Sequence, residues 1–128
     1  MITDTQLRTL APVLLRLSLT AVVAWFGISQ LMNPGAWMPI VPSWATAFGM
    51  SATAIIYLNG TFEVVTALLL GIGLFIRWVA LLLSLHLFVI ASSFGVSAIG
   101  VRDFGLACGL LSTSLFGNDA YSFHRSVI

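Results

Sequence analysis

The chain has 128 residues, of which 59% are hydrophobic and 7% charged, with a mean hydropathy of +1.08 and a net charge of +1. Soluble domains carry about 25% charged residues, so too little polar surface exists here to coat a water-soluble globule. The five basic residues are all arginine and form no cluster, which argues against nucleic acid as a partner, and the single cysteine, Cys108, rules out an internal disulfide, a CxxC redox motif and a cysteine-built zinc site.

Residues 1–10 are polar, carry both Asp4 and Arg8, and lead into a run too long for a cleavable signal, so the first helix is expected to be retained. A helix needs about 20 apolar residues to cross a hydrocarbon core, and four segments approach that length. They are residues 11–32, 51–76, 78–99 and 102–117. Between the first two lies an uncharged loop with Pro34, Pro39 and Pro42 alongside Trp37 and Trp44. Prolines at that density forbid a continuous helix, and tryptophan favours the headgroup level, so this segment is expected to lie along the membrane interface. The second and third spans meet near Gly71, Gly73 and Arg77 in a tight hairpin, and the third and fourth are joined near Gly100, Arg102 and Asp103.

Four spans put Arg8, Arg16, Arg77 and Arg125 on one side and leave Arg102, offset by Asp103, on the other. The positive-inside rule then places both termini in the cytoplasm. The expected fold is all-α, a single domain over residues 1–128 forming an integral membrane antiparallel four-helix bundle with a Pro/Trp-rich interfacial loop.

Glu63 is the only acid in the second span and sits near its middle, where a carboxyl is costly and marks a functional site. Asn59, Glu63 and Thr66 follow i, i+4, i+7 spacing and share one helix face, which should point into the bundle. His86 on the third span falls at similar depth, about a turn from the residue level with Glu63, so a contact between them is geometrically allowed. The pair suits proton exchange or hydrogen bonding to quinone carbonyls; the plainer alternative is a structural tie between helices. Arg102 is placed to reach inward to Glu63, Asn59 or Gln30, with Asp103 capping the fourth helix. Together with Gln30 and Asn33 these residues outline a pocket open toward the exoplasmic side and roofed by the Trp37/Trp44 loop.

Several other residues are read structurally. Arg16 is expected to snorkel to the headgroups, and Gly105 and Gly109 offer a small-xxx-small packing face on the fourth span. Cys108 has no evident base beside it, and His86 and His124 lie on different segments, so neither nucleophilic catalysis nor a metal site is expected.

These residues resemble the DoxX/DoxD-like family of small membrane proteins. The likeness is carried by Leu15-Arg16-Leu17, by Gly27-Ile28-Ser29-Gln30-Leu31, by Asn59-Gly60-Thr61-Phe62-Glu63 with the following Ala67 to Leu74 stretch, and by Arg77 and Arg102-Asp103-Phe104-Gly105-Leu106. Where relatives often have a lysine near the end of the first span, this chain has Gln30. The resemblance implies a four-helix bacterial inner-membrane protein, with relatives that look like membrane subunits of thiosulfate:quinone oxidoreductase or belong to thiol and oxidative-stress complexes. Glu63, Arg102 and Asp103, with Arg16 behind them, match the family's polar signature.

The leading functional expectation is a membrane subunit, not catalytic alone, that anchors or assists a redox complex and holds quinone or lipid through Glu63, His86, Arg102, Asn59 and Gln30. No covalently bound cofactor is expected, and the partners are the bilayer and other membrane subunits. The alternatives are a structural accessory subunit of a larger respiratory or photosynthetic assembly and a small-solute transporter.

Overall fold

The computed structural model describes residues 1–123; His124 and Arg125 lie outside the described residues. The helices are α1 (Asp4–Met32), α2 (Pro34–Trp37), α3 (Ser43–Thr46), α4 (Ala52–Ile72), α5 (Ile76–Phe94) and α6 (Ala98–Phe116), with a 3₁₀ turn at Met38–Ile40. Four of them, α1, α4, α5 and α6, are long and apolar enough to cross a membrane.

Helix boundaries follow local chemistry more closely than hydropathy. α1 begins seven residues before the apolar run, because Thr3 and Gln6 form a reciprocal capping box that satisfies the free N–H groups of the first turn. At 29 residues it reaches about 43 Å, longer than a bilayer core. α4 stops at Ile72 rather than Ile76: Gly73 takes a left-handed conformation (φ 81°) and the Leu74 N–H returns to the Leu69 carbonyl, a glycine stop. α5 then starts at Ile76 and ends at Phe94, short of Ile99, because Gly95 turns out of the helix at φ 55°. α6 opens at Ala98 with Ser97 as its cap, the Ser97 hydroxyl accepting from the Gly100 N–H at 3.1 Å. Asp103 is therefore inside the helix and is not its cap.

The helices associate as two close pairs, α1 with α4 and α5 with α6. In the first, Arg16 meets Leu70 and Gly71, while Gly27 meets Gly60 and Gln30 meets Asn59. Chain position rises in α1 as it falls in α4. The second pair shows the same order, with Ser114 bonded to the Arg77 carbonyl, Ser84 to Ala107, and Gly100 against Gly95. Gly27 and Gly60 lie at a close crossing: a Cβ on Gly27 would sit 2.9 Å from the Gly60 carbonyl oxygen. Lipid provides no hydrophobic drive between helices, so this backbone approach is what van der Waals packing in a bilayer uses. Gly105, by contrast, has nothing within 4 Å, and the atoms nearest a Cβ on Gly109 belong to the flexible Leu19 side chain. The small-xxx-small face expected on the last helix is thus not the packing seam.

Between the pairs lies an apolar core of Leu19, Val23, Ala67, Leu70, Leu83, Leu87, Ala107 and Leu110, among others. Large apolar side chains such as Leu14, Leu68, Leu85 and Leu115 point outward, the pattern expected of a surface solvated by acyl chains.

At the end of the core formed by the α4–α5 turn, Arg16 is 1% exposed and does not snorkel. Its Nε donates to Asp119 Oδ2 at 2.6 Å and its Nη1 donates to the carbonyls of Leu70 and Gly71, each at 2.8 Å. The chain after α6 folds back under the turn to supply that acid, with the Phe123 N–H bonded to the Ile72 carbonyl at 3.2 Å.

Candidate functional site

At the opposite end of the core from Arg16, a cavity of about 200 Å³ opens between the two helix pairs. α1 contributes Val23, Phe26 and Gln30, α4 contributes Asn59 and Glu63, and α5 contributes His86, Val89 and Ser93. The loop covers it: Trp37 donates its indole N–H to Ser29 Oγ on α1, and Trp44 donates to Ser93 Oγ on α5, both at 3.1 Å. A tryptophan N–H turned toward protein needs an acceptor, and these two serines tie one loop to both helix pairs. The roof expected from the sequence is present.

Below the roof, polar side chains converge. Glu63 is 4% exposed; its Oε2 accepts from Gln30 Nε2 at 2.7 Å and its Oε1 from Asn59 Nδ2 at 3.2 Å. Asn59 Nδ2 also donates to Gln30 Oε1 at 2.7 Å, and Gln30 Nε2 donates to the Phe26 carbonyl at 3.2 Å. Helical spacing explains the cluster: Asn59 and Glu63 are one turn apart on α4, and the glycine crossing at Gly27 and Gly60 lets Gln30 fall between them.

His86 completes the cluster from the other helix pair. Its Nε2 is 3.7 Å from Glu63 Oε1, within ion-pair reach but longer than a hydrogen bond. That nitrogen is buried and has no hydrogen-bond partner. The imidazole packs against the Phe62 ring with centroids 4.7 Å apart, which fixes its plane.

The structure corrects the other expected members. Arg102 makes no hydrogen bond to Glu63, Asn59 or Gln30; its Nε donates to its neighbour Asp103 at 2.8 Å, and its guanidinium stands 4.6 Å from the centre of the Phe26 ring. Sequence neighbours on a helix point apart, but the arginine stem is long enough to curl back, and stacking on an aromatic face holds the cation there. Arg102 therefore lines the cavity rim, 43% exposed at its side chain. Asn33 is exposed and does not line the cavity. Thr66 is buried, but its hydroxyl donates to the Phe62 carbonyl at 2.6 Å and approaches that of Glu63, so it is spent on its own helix.

The cavity has a floor. Val23 and Leu87 line it and also belong to the packed core, and from Glu63 to Leu70 on α4 the descent toward Arg16 is about 10 Å. Along that stretch Thr20 bonds to the Arg16 carbonyl and Ser84 to that of Ala107. Among the described residues, no polar side chain links Glu63 to the Arg16–Asp119 pair.

A DoxX family model matches residues 11–96. The chain belongs to the DoxX family. Gln30, Asn59, Glu63 and His86 of this DoxX protein all lie within the matched segment, whereas Arg102, Asp103 and Asp119 lie beyond it. No curated protein and no solved structure matches it. Membership of DoxX and four helices of spanning length and apolarity make this an integral membrane protein with a lipid bilayer as its solvent. Among the described residues, no group of three or more His, Cys, Asp and Glu side chains is placed to hold a metal ion.

Sequence reading did not single out Asp119, which lies after the last span. The available signal was Arg16: a cation inside the first span, on the side of the membrane where the chain ends, calls for an acid from a segment that can reach it.

Proposed function

We propose that this DoxX protein is a small inner-membrane subunit that binds a quinone-type headgroup in the loop-covered cavity and assists a membrane redox complex. The observation that carries the reading is the form of the cavity. It is apolar and aromatic along its walls, with Phe26, Trp37, Trp44 and Phe94, and polar only where Gln30, Asn59, Glu63 and His86 converge. Ligand pockets commonly combine an apolar lining with a few oriented polar groups. A flat ring with an oxygen at one edge and an isoprenoid tail at the other matches that division, and His86, whose buried Nε2 has no hydrogen-bond partner, stands beside Glu63 at the polar end.

The residues assigned to the headgroup are Glu63 and His86, held in place by Gln30 and Asn59, with Arg102 at the rim. When bound, a quinone supplies two-electron chemistry; the chain's own residues orient the ring and exclude water from it. Arg8 and Arg77 lie at the end away from the cavity, which supports both termini in the cytoplasm and a cavity that opens to the exoplasmic side. Electrons would come from a redox subunit in the same membrane.

Glu63→Gln tests the reading. Protein purified in mild detergent is extracted and its quinone content quantified by chromatography and mass spectrometry. We expect quinone per mole of protein to fall roughly tenfold in the variant, the worth of about one hydrogen bond in a buried site, while helicity and elution volume stay unchanged. Equal quinone content in a folded Glu63→Gln protein would overturn the assignment of Glu63 to the headgroup. Mass spectrometry of proteins that co-elute with the wild type tests the second half of the proposal, with stoichiometric recovery of redox subunits as the expected result.

A further inference from the structure

The cavity has a second polar pole, on the helix diagonal to Glu63. α1 packs on α4 and α6, and α5 packs on the same two, so α4 and α6 stand across the bundle from each other. Glu63 lines the cavity from α4, and Arg102 and Asp103 line it from α6. Counting from the bond between Ser84 and the Ala107 carbonyl, the Arg102 backbone lies about 4–5 Å nearer the roof than that of His86. The two poles are therefore offset both across the cavity and along it.

Most donors around the cavity are already spent. A glutamine or asparagine amide has two N–H groups. Gln30 gives its two to Glu63 Oε2 and the Phe26 carbonyl, and Asn59 gives its two to Gln30 Oε1 and Glu63 Oε1. The indole N–H groups of Trp37 and Trp44 go to serines. Arg102 gives Nε–H to Asp103, and among the described residues no acceptor meets its Nη groups. The guanidinium is nevertheless held in place. Asp103 fixes one edge at 2.8 Å, the Phe26 ring lies 4.6 Å from its centre, and Phe26 packs edge-on against Trp37 of the roof. With 43% of its side chain exposed, Arg102 is within reach of a ligand entering the mouth.

Resting on the quinone-site reading above, we propose that Arg102 is the second anchor of the headgroup: its Nη groups donate to the ring oxygen opposite the one at the Glu63 end, so the site recognises a ring with oxygens on two opposite edges. A 1,4-quinone has that form, with a flat apolar ring between two carbonyl oxygens that only accept. A guanidinium only donates and stays charged at any working pH, so the contact depends on no titration. Asp103 already balances the charge of Arg102, which suits a neutral acceptor better than a second anion. Asp103 and Phe26 act as positioning residues, because a guanidinium fixed before the ligand arrives loses less freedom when it bonds.

The test is a titration of the protein in phosphatidylcholine nanodiscs with decylubiquinone. Affinity is read by calorimetry, and the carbonyl stretches of the bound ring by infrared difference spectroscopy. A hydrogen bond donated to a carbonyl lowers its stretching frequency, so the contact leaves a mark that a merely structural role would not. In the wild type one carbonyl band is expected below its position in lipid. In Arg102→Met that band should return upward, and affinity should fall about tenfold or more, the worth of a hydrogen bond from a charged donor. Arg102→Met joined to Asp103→Leu removes the buried acid left without its partner and should behave alike; it decides the question if the single variant fails to fold. Carbonyl bands that keep their wild-type positions in a folded variant overturn the role of Arg102, whatever the affinity, and leave the quinone site standing. A wild type that binds no decylubiquinone overturns the site itself, and this inference with it.

Discussion

Asp119→Ala is expected to cost about 3–5 kcal/mol of stability, enough to remove most folded protein from the membrane, because it leaves Arg16 buried without its counter-ion. Both side chains of this pair are 1% exposed. Arg16 also donates to the carbonyls of Leu70 and Gly71 and, at 3.4 Å, to that of Tyr121, so it is held at the spot where α4 ends and cannot swing to the headgroups when the acid is lost. Asp119 in turn accepts the Tyr121 N–H at 3.0 Å, which shapes the segment that returns beneath the α4–α5 turn. Unfolding in detergent, followed by tryptophan fluorescence, gives the loss directly. Asp119→Asn keeps the shape and the acceptor oxygen and should lose less. Joint replacement of Arg16 by methionine and Asp119 by leucine should recover much of the stability, since neither then presents a buried charge. A single Asp119→Ala variant as stable as the wild type would show that the pair is not what ties the chain end to α1.

Those two residues also mark where sequence reasoning reached and where it stopped. Composition and four apolar runs were enough for the membrane class, the all-helical fold and the loop, because a bilayer imposes length and hydropathy on any chain that crosses it. Glu63 and Asn59 were legible as one face because helical spacing is periodic and local. The pairing of His86 with Glu63 was reachable only as a matter of depth, since the rotation of a helix apolar on every side leaves no trace in its sequence. Arg16 was misread for the opposite reason. Its distance from the helix end allowed snorkelling, and what decides against it is a partner 103 residues away, whose position depends on how the chain after α6 turns. Arg102 was placed toward the polar cluster by depth alone, and stacking on Phe26 outweighed that reach. The helix ends differed from the apolar runs wherever a cap or a left-handed glycine intervened, as at Thr3, Gly73 and Ser97.

The second large effect is expected at the crossing of α1 and α4. Gly27→Ala should destabilise the protein by roughly 1–3 kcal/mol through overpacking and, more tellingly, should abolish retention of the quinone proposed above. The new methyl carbon would lie 2.9 Å from the Gly60 oxygen and 2.9 Å from the Val64 nitrogen, both main-chain atoms, so no side-chain rotation relieves it and the helix axes must part. The bonds from Gln30 to Asn59 and to Glu63, each 2.7 Å, span that same seam less than one turn further along α1. A displacement of even half an ångström stretches them beyond good geometry, and a carboxyl that loses its donors in a dry cavity no longer presents a fixed acceptor to a ligand. Gly105→Ala provides the contrast. With nothing within 4 Å of the added carbon, it should be neutral or gain up to about 1 kcal/mol from better helix propensity, with quinone content unchanged. Melting curves and quinone content measured on both variants separate the cases. If Gly27→Ala kept its ligand while Gly105→Ala lost it, the site would have to be built on the α5–α6 pair, and the link from glycine crossing to polar cluster would be wrong.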